Sequence, residues 1–412
     1  MHRQNEVAIV TGGCAGLGLA TARARALVAS RGRMGGRPGE RCRGGTPGLG
    51  AVAIAALLAL AALAGCASRP LLPYSATIPV AMLPLSATAI EDDRARFRQA
   101  FCQVNREVGK SLPDYRPCSE ALIALVDEKP GPLSPLPAAT GQWDASVVMV
   151  PGLGWECVSP YAGGSDAVAY ARQRGYQITM APTEGLSGSA RNARILRDYV
   201  LDAGQVPADR PVVLIGYSKG LPDILEALAQ YPELTARVVA VVSLAGAVGG
   251  SPLADQASPK VLDMFRMVPG AVCDDGDDGA LESLKTGVRR RWLADHPLPP
   301  GIRYYAIVSH PEPQRISRGL LSSYRKLARI DARNDSQLLY YDQLLPQGKL
   351  LALLNADHFA VALPVARTHP TVGRLLLNRN GFPREVLMEA LLRYLEVDLS
   401  DVMDRSPALA RR

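Results

Sequence analysis

The stretch Val212-Val213-Leu214-Ile215-Gly216-Tyr217-Ser218-Lys219-Gly220 joins a run of apolar residues to a glycine-rich turn. The apolar run predicts a β-strand that is buried on both faces, and residues 221–229 predict a helix directly after the turn. A turn this tight needs glycine on both sides of Ser218, because a larger side chain there would collide with the neighbouring strand or helix. The pattern therefore places Ser218 above the sheet, at the N-terminus of a helix.

Five further short apolar runs predict the rest of the sheet. Helical stretches at residues 166–174, 190–201 and 221–229 alternate with the early runs. Strands that alternate with helices form a mostly parallel sheet with right-handed crossovers, so the sequence predicts an α/β fold. The runs are Val147–Val150, Tyr176–Met180, Val238–Leu244, Tyr304–Val308 and Leu350–Leu354.

The sequence Gly216-Tyr217-Ser218-Lys219-Gly220, set between a strand and a helix, resembles the nucleophile elbow of the α/β-hydrolase superfamily. After the next strand, Ala245–Asp255 is similar to the G-S-x-x-A-D segment of bacterial triacylglycerol lipases, although the histidine that usually precedes it is absent. The matches span roughly residues 146–364. They imply a hydrolase domain over 142–412, in which an insertion at about 252–300, too long for a plain loop, forms a helical cap.

A serine hydroxyl is a weak nucleophile and needs a base. In the superfamily that this chain resembles, the base is a histidine after the last strand, and the chain order is serine, acid, histidine. His358 follows the run Leu350–Leu354 and fits that order. The other histidines beyond the leader fit it less well: His296, His310 and His369.

The acid of the triad is harder to place. Asp335, in Arg333-Asn334-Asp335-Ser336, resembles the Asn-Asp-Gly acid loop of bacterial lipases, with serine in place of the usual glycine. Glu312 lies directly after a strand, which is also a normal position for the acid, and is the main alternative. We expect Asp335 to orient His358. The remaining candidates are Asp331, Asp342 and Asp357.

Hydrolysis also needs donors for the oxyanion that forms at the carbonyl. The amide N–H after the nucleophile, here that of Lys219, supplies one. Pro151-Gly152-Leu153-Gly154-Trp155 is similar to the H-G-x-G loop of lipases, with proline in place of histidine, and the resemblance implies Leu153 as the second donor. An ordinary β-turn is the alternative for this loop.

No cofactor and no metal is predicted. The acidic run at residues 274–279 has some likeness to a calcium loop, but it lacks the glutamate that ends an EF-hand loop. We expect it to be a solvated acidic turn.

The N-terminal region reads as a leader. Residues 1–65 hold eight Arg and two Glu, whereas the rest of the chain has 38 basic and 37 acidic groups. The uncharged run Leu49–Gly65 after basic residues is typical of an export signal, and Leu63-Ala64-Gly65-Cys66 is similar to the lipobox of bacterial lipoproteins. We expect a signal peptide over 34–65 and a lipidated Cys66 on the outer membrane, facing the periplasm. A transmembrane anchor or an Ala-rich helix is the alternative.

A second motif precedes the leader. Val7–Val10 and Thr11–Gly18, with the helical stretch to Ala29, resemble the start of a short-chain dehydrogenase. The second parallel strand that a dinucleotide site requires is missing, so residues 1–33 are interpreted as a stray fragment without a cofactor. Residues 66–141 are interpreted as a tether followed by an N-terminal helical segment, with helices predicted over Glu91–Val108 and Cys118–Val126.

Four cysteines follow Cys66, and an even number in an exported chain favours disulfides. Three pairings are open in principle. We favour Cys102 with Cys118, because they flank one loop between helical stretches, which leaves Cys157 with Cys273. Four buried free thiols are the alternative.

These features predict a lipid-anchored serine hydrolase that cleaves small-molecule or lipid carboxylic esters. Two alternatives stay open: an inactive α/β-hydrolase-fold binding protein in the cell envelope, and a thioesterase or amidase. Nucleic acid is excluded as a partner, since the chain beyond residue 65 is nearly neutral.

Overall fold

In the part of the chain that this computed structural model describes, the core is a seven-stranded parallel sheet. The structure describes residues 89–125, 128, 143–162, 166–268, 270–274 and 276–403. The strands are β1 (Glu91–Asp92), β2 (Ser146–Val150), β3 (Gln177–Met180), β4 (Val212–Tyr217), β5 (Val238–Leu244), β6 (Arg303–Ser309) and β7 (Lys349–Leu354). Their order across the sheet is β1-β7-β6-β5-β4-β2-β3, and every pair is parallel. The predicted α/β fold is confirmed.

Two layers of helices cover the sheet. On one face lie α1 (Arg94–Glu107), α4 (Asp166–Gln173) and α15 (Arg384–Asp398), whose buried side chains pack with Val147 and Met149 of β2. On the other face lie α5 (Ser189–Leu201) and α6 (Gly220–Gln230), which pack with Val148 and Val150. Successive strand residues point to opposite faces, so an unbroken apolar strand supplies both cores.

The remaining helices are short and lie mostly at the carboxyl ends of the strands. They are α2 (Cys118–Ala121), α3 (Trp155–Ala162), α7 (Pro252–Asp255), α8 (Lys260–Arg266), α9 (Ala280–Ser283), α10 (Thr286–Asp295), α11 (Leu321–Leu327), α12 (His358–Ala362), α13 (Val365–Thr368), α14 (Pro370–Leu375) and α16 (Ser400–Met403). Helices α7 to α10 lie within the predicted cap. Among the described residues, no helix is long and apolar enough to cross a membrane.

The N-terminal segment, residues 89–125, contributes one short strand to the sheet. The sequence predicts a helix from Glu91, but Glu91 and Asp92 form β1 and pair with β7 at the sheet edge, so that helix begins at Arg94. The second predicted helix, from Cys118, ends at Ala121 because the next residues leave the helix to bond the backbone at the end of β7. A strand of two polar residues has no alternation of apolar and polar side chains, so the sequence pattern does not predict β1.

The cap differs from its prediction in one respect. The sequence predicts one helix over 281–294, whereas the structure has two, α9 and α10, separated at Leu284 and Lys285. The carbonyl of Leu284 accepts a hydrogen bond from the amide of Ser251 at 2.8 Å, and the Leu284 side chain is buried. Leu284 therefore bonds to Ser251, at the start of the cap, and the helix is interrupted there.

Two cysteine pairs lie at disulfide distance. The Cα atoms of Cys102 and Cys118 are 5.3 Å apart, and those of Cys157 and Cys273 are 4.5 Å apart. Both separations suit a disulfide, and these are the pairs that the sequence favours. The first joins α1 to α2, and the second joins α3 to the cap. Cys66, the leader over 34–65 and the fragment over 1–33 lie outside the described residues.

A buried carboxyl group lies just before the last strand. Asp342 is in a short 3-10 turn, Tyr340–Gln343, and its side chain is 5% exposed. The backbone of Gly249 packs against it, and Oδ2 has no hydrogen-bond partner in the described part of the chain. Burial raises the pKa of Asp342 to about 7, from an ordinary value of 3.8.

This carboxyl group predicts a pH dependence of stability. Between about pH 4 and pH 7 the folded state keeps a proton that the unfolded chain has lost, so stability falls as pH rises through this range, by up to about 4 kcal/mol. Asp342→Asn removes the titration while keeping the shape. Urea unfolding at pH 5 and pH 8 should show that the gain in stability of the variant over the wild type is larger at pH 8 than at pH 5, by about 2 to 3 kcal/mol. An equal difference at both pH values would contradict the assignment.

Candidate active site

Ser218 occupies a strained turn between β4 and α6. Its φ is 53°, in the left-handed region that residues other than glycine rarely adopt. A Cβ on Gly216 would lie 2.6 Å from the Cα of Leu221, and one on Gly220 would lie 2.1 Å from the carbonyl oxygen of Val150. Both glycines are therefore required by close approach of backbone. The turn holds Ser218 at the carboxyl end of β4, where it lines a cavity.

His358 lies next to Ser218. It follows β7 and begins α12, and its Nε2 is 2.9 Å from Ser218 Oγ. The ring of Tyr217 stacks on the imidazole with 5.2 Å between centroids, and the Tyr217 hydroxyl donates to the His358 carbonyl at 2.9 Å. These contacts fix the ring plane. His358 is only 3% exposed.

Asp335 lies on the far side of the imidazole. Its Oδ2 is 2.7 Å from His358 Nδ1, so the N–H at Nδ1 donates to the carboxylate and leaves Nε2 to accept from Ser218. Oδ1 of Asp335 accepts from the amides of Gln337 and Leu338 at 2.9 and 2.7 Å, and the amide of His358 donates to the Asp335 carbonyl. The carboxylate is fully buried yet bonded through both oxygens.

Ser336, the residue after Asp335, stands where the acid loop of bacterial lipases usually has glycine. Ser336 has a φ of 83°, a conformation that glycine adopts freely. Its amide donates to Asn334 Oδ1 at 3.0 Å, a local bond that supports the turn. Serine here thus takes a backbone conformation that glycine would adopt without strain.

The other candidate acids have different partners. Glu312 Oε2 accepts from the side-chain amide of Asn355 at 3.0 Å, and Asp331 forms an ion pair with Arg333. Asp357 caps α12 by accepting from the amide of Ala360, and its other oxygen accepts from Ser317. Asp342 is buried against the loop that contains Gly249. Of these side chains, the structure brings only that of Asp335 to His358 among the described residues.

The remaining histidines lie in other surroundings. His310 is half-buried beside Tyr340, and burial lowers its pKa. His296 stacks on Trp292 in the cap, and His369 is half-buried between α13 and α14. The cavity that Ser218 lines includes His358 and none of these three in the described part of the chain.

The loop after β2 runs against Ser218. A Cβ on Gly152 would lie 2.9 Å from the Cβ of Ser218, so glycine lets the two backbones meet. The amides of Leu153 and Lys219 have no backbone acceptor among the described residues, and Leu153 lines the cavity. Two amide donors next to the serine could bind a developing oxyanion.

A cavity of about 890 Å³ opens beside Ser218. Its walls are mostly apolar and have two sources. The cap contributes Leu253, Val261, Phe265, Val268, Leu281 and Leu284. A second wall, formed by residues 359–377, contributes Phe359, Leu363, Val365, Val372, Leu376 and Leu377. The sequence pattern does not predict this second wall, because helices of four to six residues are too short to show a clear periodicity.

The described residues contain no group of three or more His, Cys, Asp or Glu side chains that could hold a metal ion. In the acidic turn of the cap, Asp277 Oδ1 accepts from the amides of Gly188 and Gly279. Asp278 forms an ion pair with Arg266. These carboxylates bind backbone amides and a guanidinium instead of converging on one point.

Fold and site together resemble those of α/β-hydrolases with a serine nucleophile. The metagenomic carboxyl esterase MGS0156 is 37% identical to this chain, with a TM-score of 0.71, and the match covers 80% of this chain and 100% of that protein. The chain therefore belongs to the family of that carboxyl esterase, within the α/β-hydrolase superfamily.

More distant similarity extends to lipases. The mature lipase BlEst2 of Bacillus licheniformis is 22% identical, with a TM-score of 0.43, over 57% of this chain and 92% of that one. The lipase of Staphylococcus hyicus is 12% identical, with a TM-score of 0.47, over 62% of this chain and 96% of that one. No family model and no curated protein matches the sequence.

The elbow yields a prediction with an internal control. Gly220→Ala places a methyl group against the carbonyl of Val150, so we expect loss of stability of about 2 kcal/mol or more and loss of any activity that depends on Ser218. Gly287→Ala, in α10, meets no atom within 4 Å and should be neutral or stabilising by up to about 1 kcal/mol. Thermal melts of both variants would check this. Equal melting temperatures would show that the elbow tolerates a side chain.

Proposed function

We propose that the protein hydrolyses carboxylic esters through an acyl-enzyme formed on Ser218. The observation that carries the proposal is the chain of hydrogen bonds from Asp335 through His358 to Ser218, 2.7 and 2.9 Å long. Membership in the family of a carboxyl esterase supports the reaction class. The roles of the individual residues rest on their geometry.

The reaction proceeds in two steps. Ser218 Oγ attacks the ester carbonyl while His358 Nε2 takes the hydroxyl proton, and the carbonyl oxygen becomes an oxyanion that the amides of Leu153 and Lys219 bind. His358 then gives the proton to the leaving alcohol, and the acyl group stays on Ser218. Water attacks the acyl-enzyme in the same way, with His358 as base, and releases the acid and free Ser218. Asp335 holds the imidazole in the required tautomer.

The cavity favours an ester with an apolar acyl chain. Its volume of about 890 Å³ and its apolar walls suit a chain longer than acetyl. The two walls also carry exposed apolar side chains: Met264 and Met267 on the cap, and Leu375 and Leu376 on the second wall. The chains of a lipid ester, and the lipids around it, are also apolar. Contact between them and these side chains would not remove water from polar groups.

An inactive binding protein of the same fold is the main competing function. It would not need an imidazole aligned between a serine and a buried carboxylate, and the observed alignment disfavours it. A fluorophosphonate probe, which reacts only with activated serines, separates the two. Labelling of the wild type with no labelling of Ser218→Ala supports the hydrolase, and an unlabelled wild type supports the binding protein.

The triad yields the central prediction. Ser218→Ala and His358→Ala should each lower kcat/KM by about 10⁴ to 10⁶, because nucleophile and base act as a unit. Asp335→Asn should lower it by a similar or smaller factor, since His358 retains some of the correct tautomer. The measurement is hydrolysis of nitrophenyl esters of graded acyl length, with the best ester used for all variants. Thermal melts control for misfolding.

Glu312→Gln is the matched control for the acid. Its carboxylate contacts Asn355 and not His358, so the amide should leave kcat/KM within about twofold of wild type. An inactive Glu312 variant beside a normal Asp335→Asn variant would move the acid to the position directly after β6.

We further propose that the protein is anchored to the bacterial outer membrane, facing the periplasm, through a lipid on Cys66. The motif Leu63-Ala64-Gly65-Cys66 after an apolar run supports this. Diacylation would give stable attachment, because one chain alone binds only marginally.

Anchoring can be tested directly. Cys66→Ser should prevent lipid attachment and leave an unprocessed precursor, which is seen as a larger band and as loss of labelling by a radioactive fatty acid. Cys14→Ser, in the segment before the leader, should be processed like the wild type. Normal processing of the Cys66 variant would refute the lipobox assignment.

A further inference from the structure

Lys219, which follows the nucleophile, sends its side chain away from the cavity into the protein. Its Nζ is 2.8 Å from both carboxylate oxygens of Asp223, one turn later in α6. Both side chains are 1% exposed. A buried ion pair is costly to desolvate and gives little net stability over apolar side chains of similar size. Its position next to the serine therefore needs another explanation.

Asn192 of α5 extends this pair. Its Nδ2 donates to Asp223 Oδ2 at 2.8 Å and to the carbonyl of Glu184 at 2.9 Å, while its Oδ1 accepts from the amide of Glu184 at 3.0 Å. Both groups of the amide are thus used, so its orientation is fixed. Asn192 is 1% exposed. One side chain ties the nucleophile helix to the loop between β3 and α5.

That loop in turn holds the second oxyanion segment. The carbonyl of Gly185 accepts from the amide of Gly154 at 3.1 Å, and the amide of Gly185 donates to Glu156 Oε1 at 2.7 Å. Gly154 directly follows Leu153. A Cβ on Gly185 would lie 2.6 Å from the Gly154 nitrogen, so the two backbones are in direct contact.

We propose that Lys219, Asp223 and Asn192 are positioning residues that hold the two oxyanion donors at a fixed separation. The connection runs from Lys219 through Asp223, Asn192 and the loop at Gly185 to the segment that carries the Leu153 amide. Donors fixed in advance bind the charge of the transition state without rearranging, whereas loosened donors must reorganise during the reaction. The proposal rests on the proposed hydrolase activity and adds residues to it that do not touch the substrate.

The test removes the ion pair and fills its place with apolar side chains of similar size. Lys219→Met with Asp223→Leu deletes both charges together and leaves the backbone amide of residue 219 in place. We expect kcat to fall by about 10- to 100-fold with KM within about twofold, because removing a single oxyanion donor outright costs about 10²- to 10³-fold. The inhibition constant of an alkyl boronic acid, whose tetrahedral adduct places an oxygen at the oxyanion position, should rise by the same factor as kcat/KM falls.

A second buried ion pair supplies the matched control. Arg393 and Glu389 on α15 are 3% and 1% exposed and do not line the cavity. Arg393→Met with Glu389→Leu should leave kcat, KM and boronic acid inhibition unchanged at temperatures where the variant is folded. The proposal is overturned if kcat of the Lys219/Asp223 variant stays at the wild-type value, or if kcat falls without weaker boronic acid binding.

Asn192→Leu decides the matter if the double variant does not fold. It cuts the connection one step further along and leaves the ion pair intact, and it should give the same fall in kcat with unchanged KM. Normal kcat in a folded Asn192→Leu variant would overturn the proposal. Failure of the hydrolase assignment has a different signature, since the wild type would then lack activity that Ser218→Ala abolishes.

Discussion

The close approach of α6 to the end of β2 is the constraint on which the site depends. Gly220 lies so near the carbonyl of Val150 that no side chain fits between them, and this contact sets where the helix begins. The start of the helix in turn sets the direction of Ser218 and of the amide that follows it. The other parts of the site are arranged around these fixed points, in loops that follow β2, β6 and β7 of the same sheet.

Parallel topology explains how distant parts of the chain meet here. Strands β2, β4 and β7 all end at the same edge of the sheet, so the loops after them share one space. The loop after β2 brings the backbone amides of the Leu153 segment, the turn after β4 brings Ser218, and the loop after β7 brings the imidazole of His358. The buried carboxylate of Asp335 precedes β7 and reaches the same edge because the amides of Gln337 and Leu338 hold it there.

Several features were predictable because their signals are local. The elbow depends on glycines two residues before and two residues after Ser218, and the position of His358 depends on its place after an apolar strand. The second wall of the cavity and the two-residue strand β1 gave no such signal, since short elements have neither periodicity nor alternation. The link from Asp223 to Asn192 could not be predicted either. An i,i+4 pair such as Lys219 and Asp223 is typical of a helix surface, whereas here it is buried and Asn192 of α5 bonds to it.

The pair Cys157 and Cys273 limits how the cap can move. It joins the middle of the cap to α3, so a hinge at the two ends of residues 252–300 cannot swing the whole insertion aside. The stretch before Cys273 is held as well, because Leu262 of α8 is buried in a cluster with Cys157 and Leu186. The freedom of the cap to move away from the cavity would then depend on the redox state of the compartment. Reduction of the Cys157–Cys273 disulfide would separate the cap from α3, whereas an oxidising compartment would keep them joined.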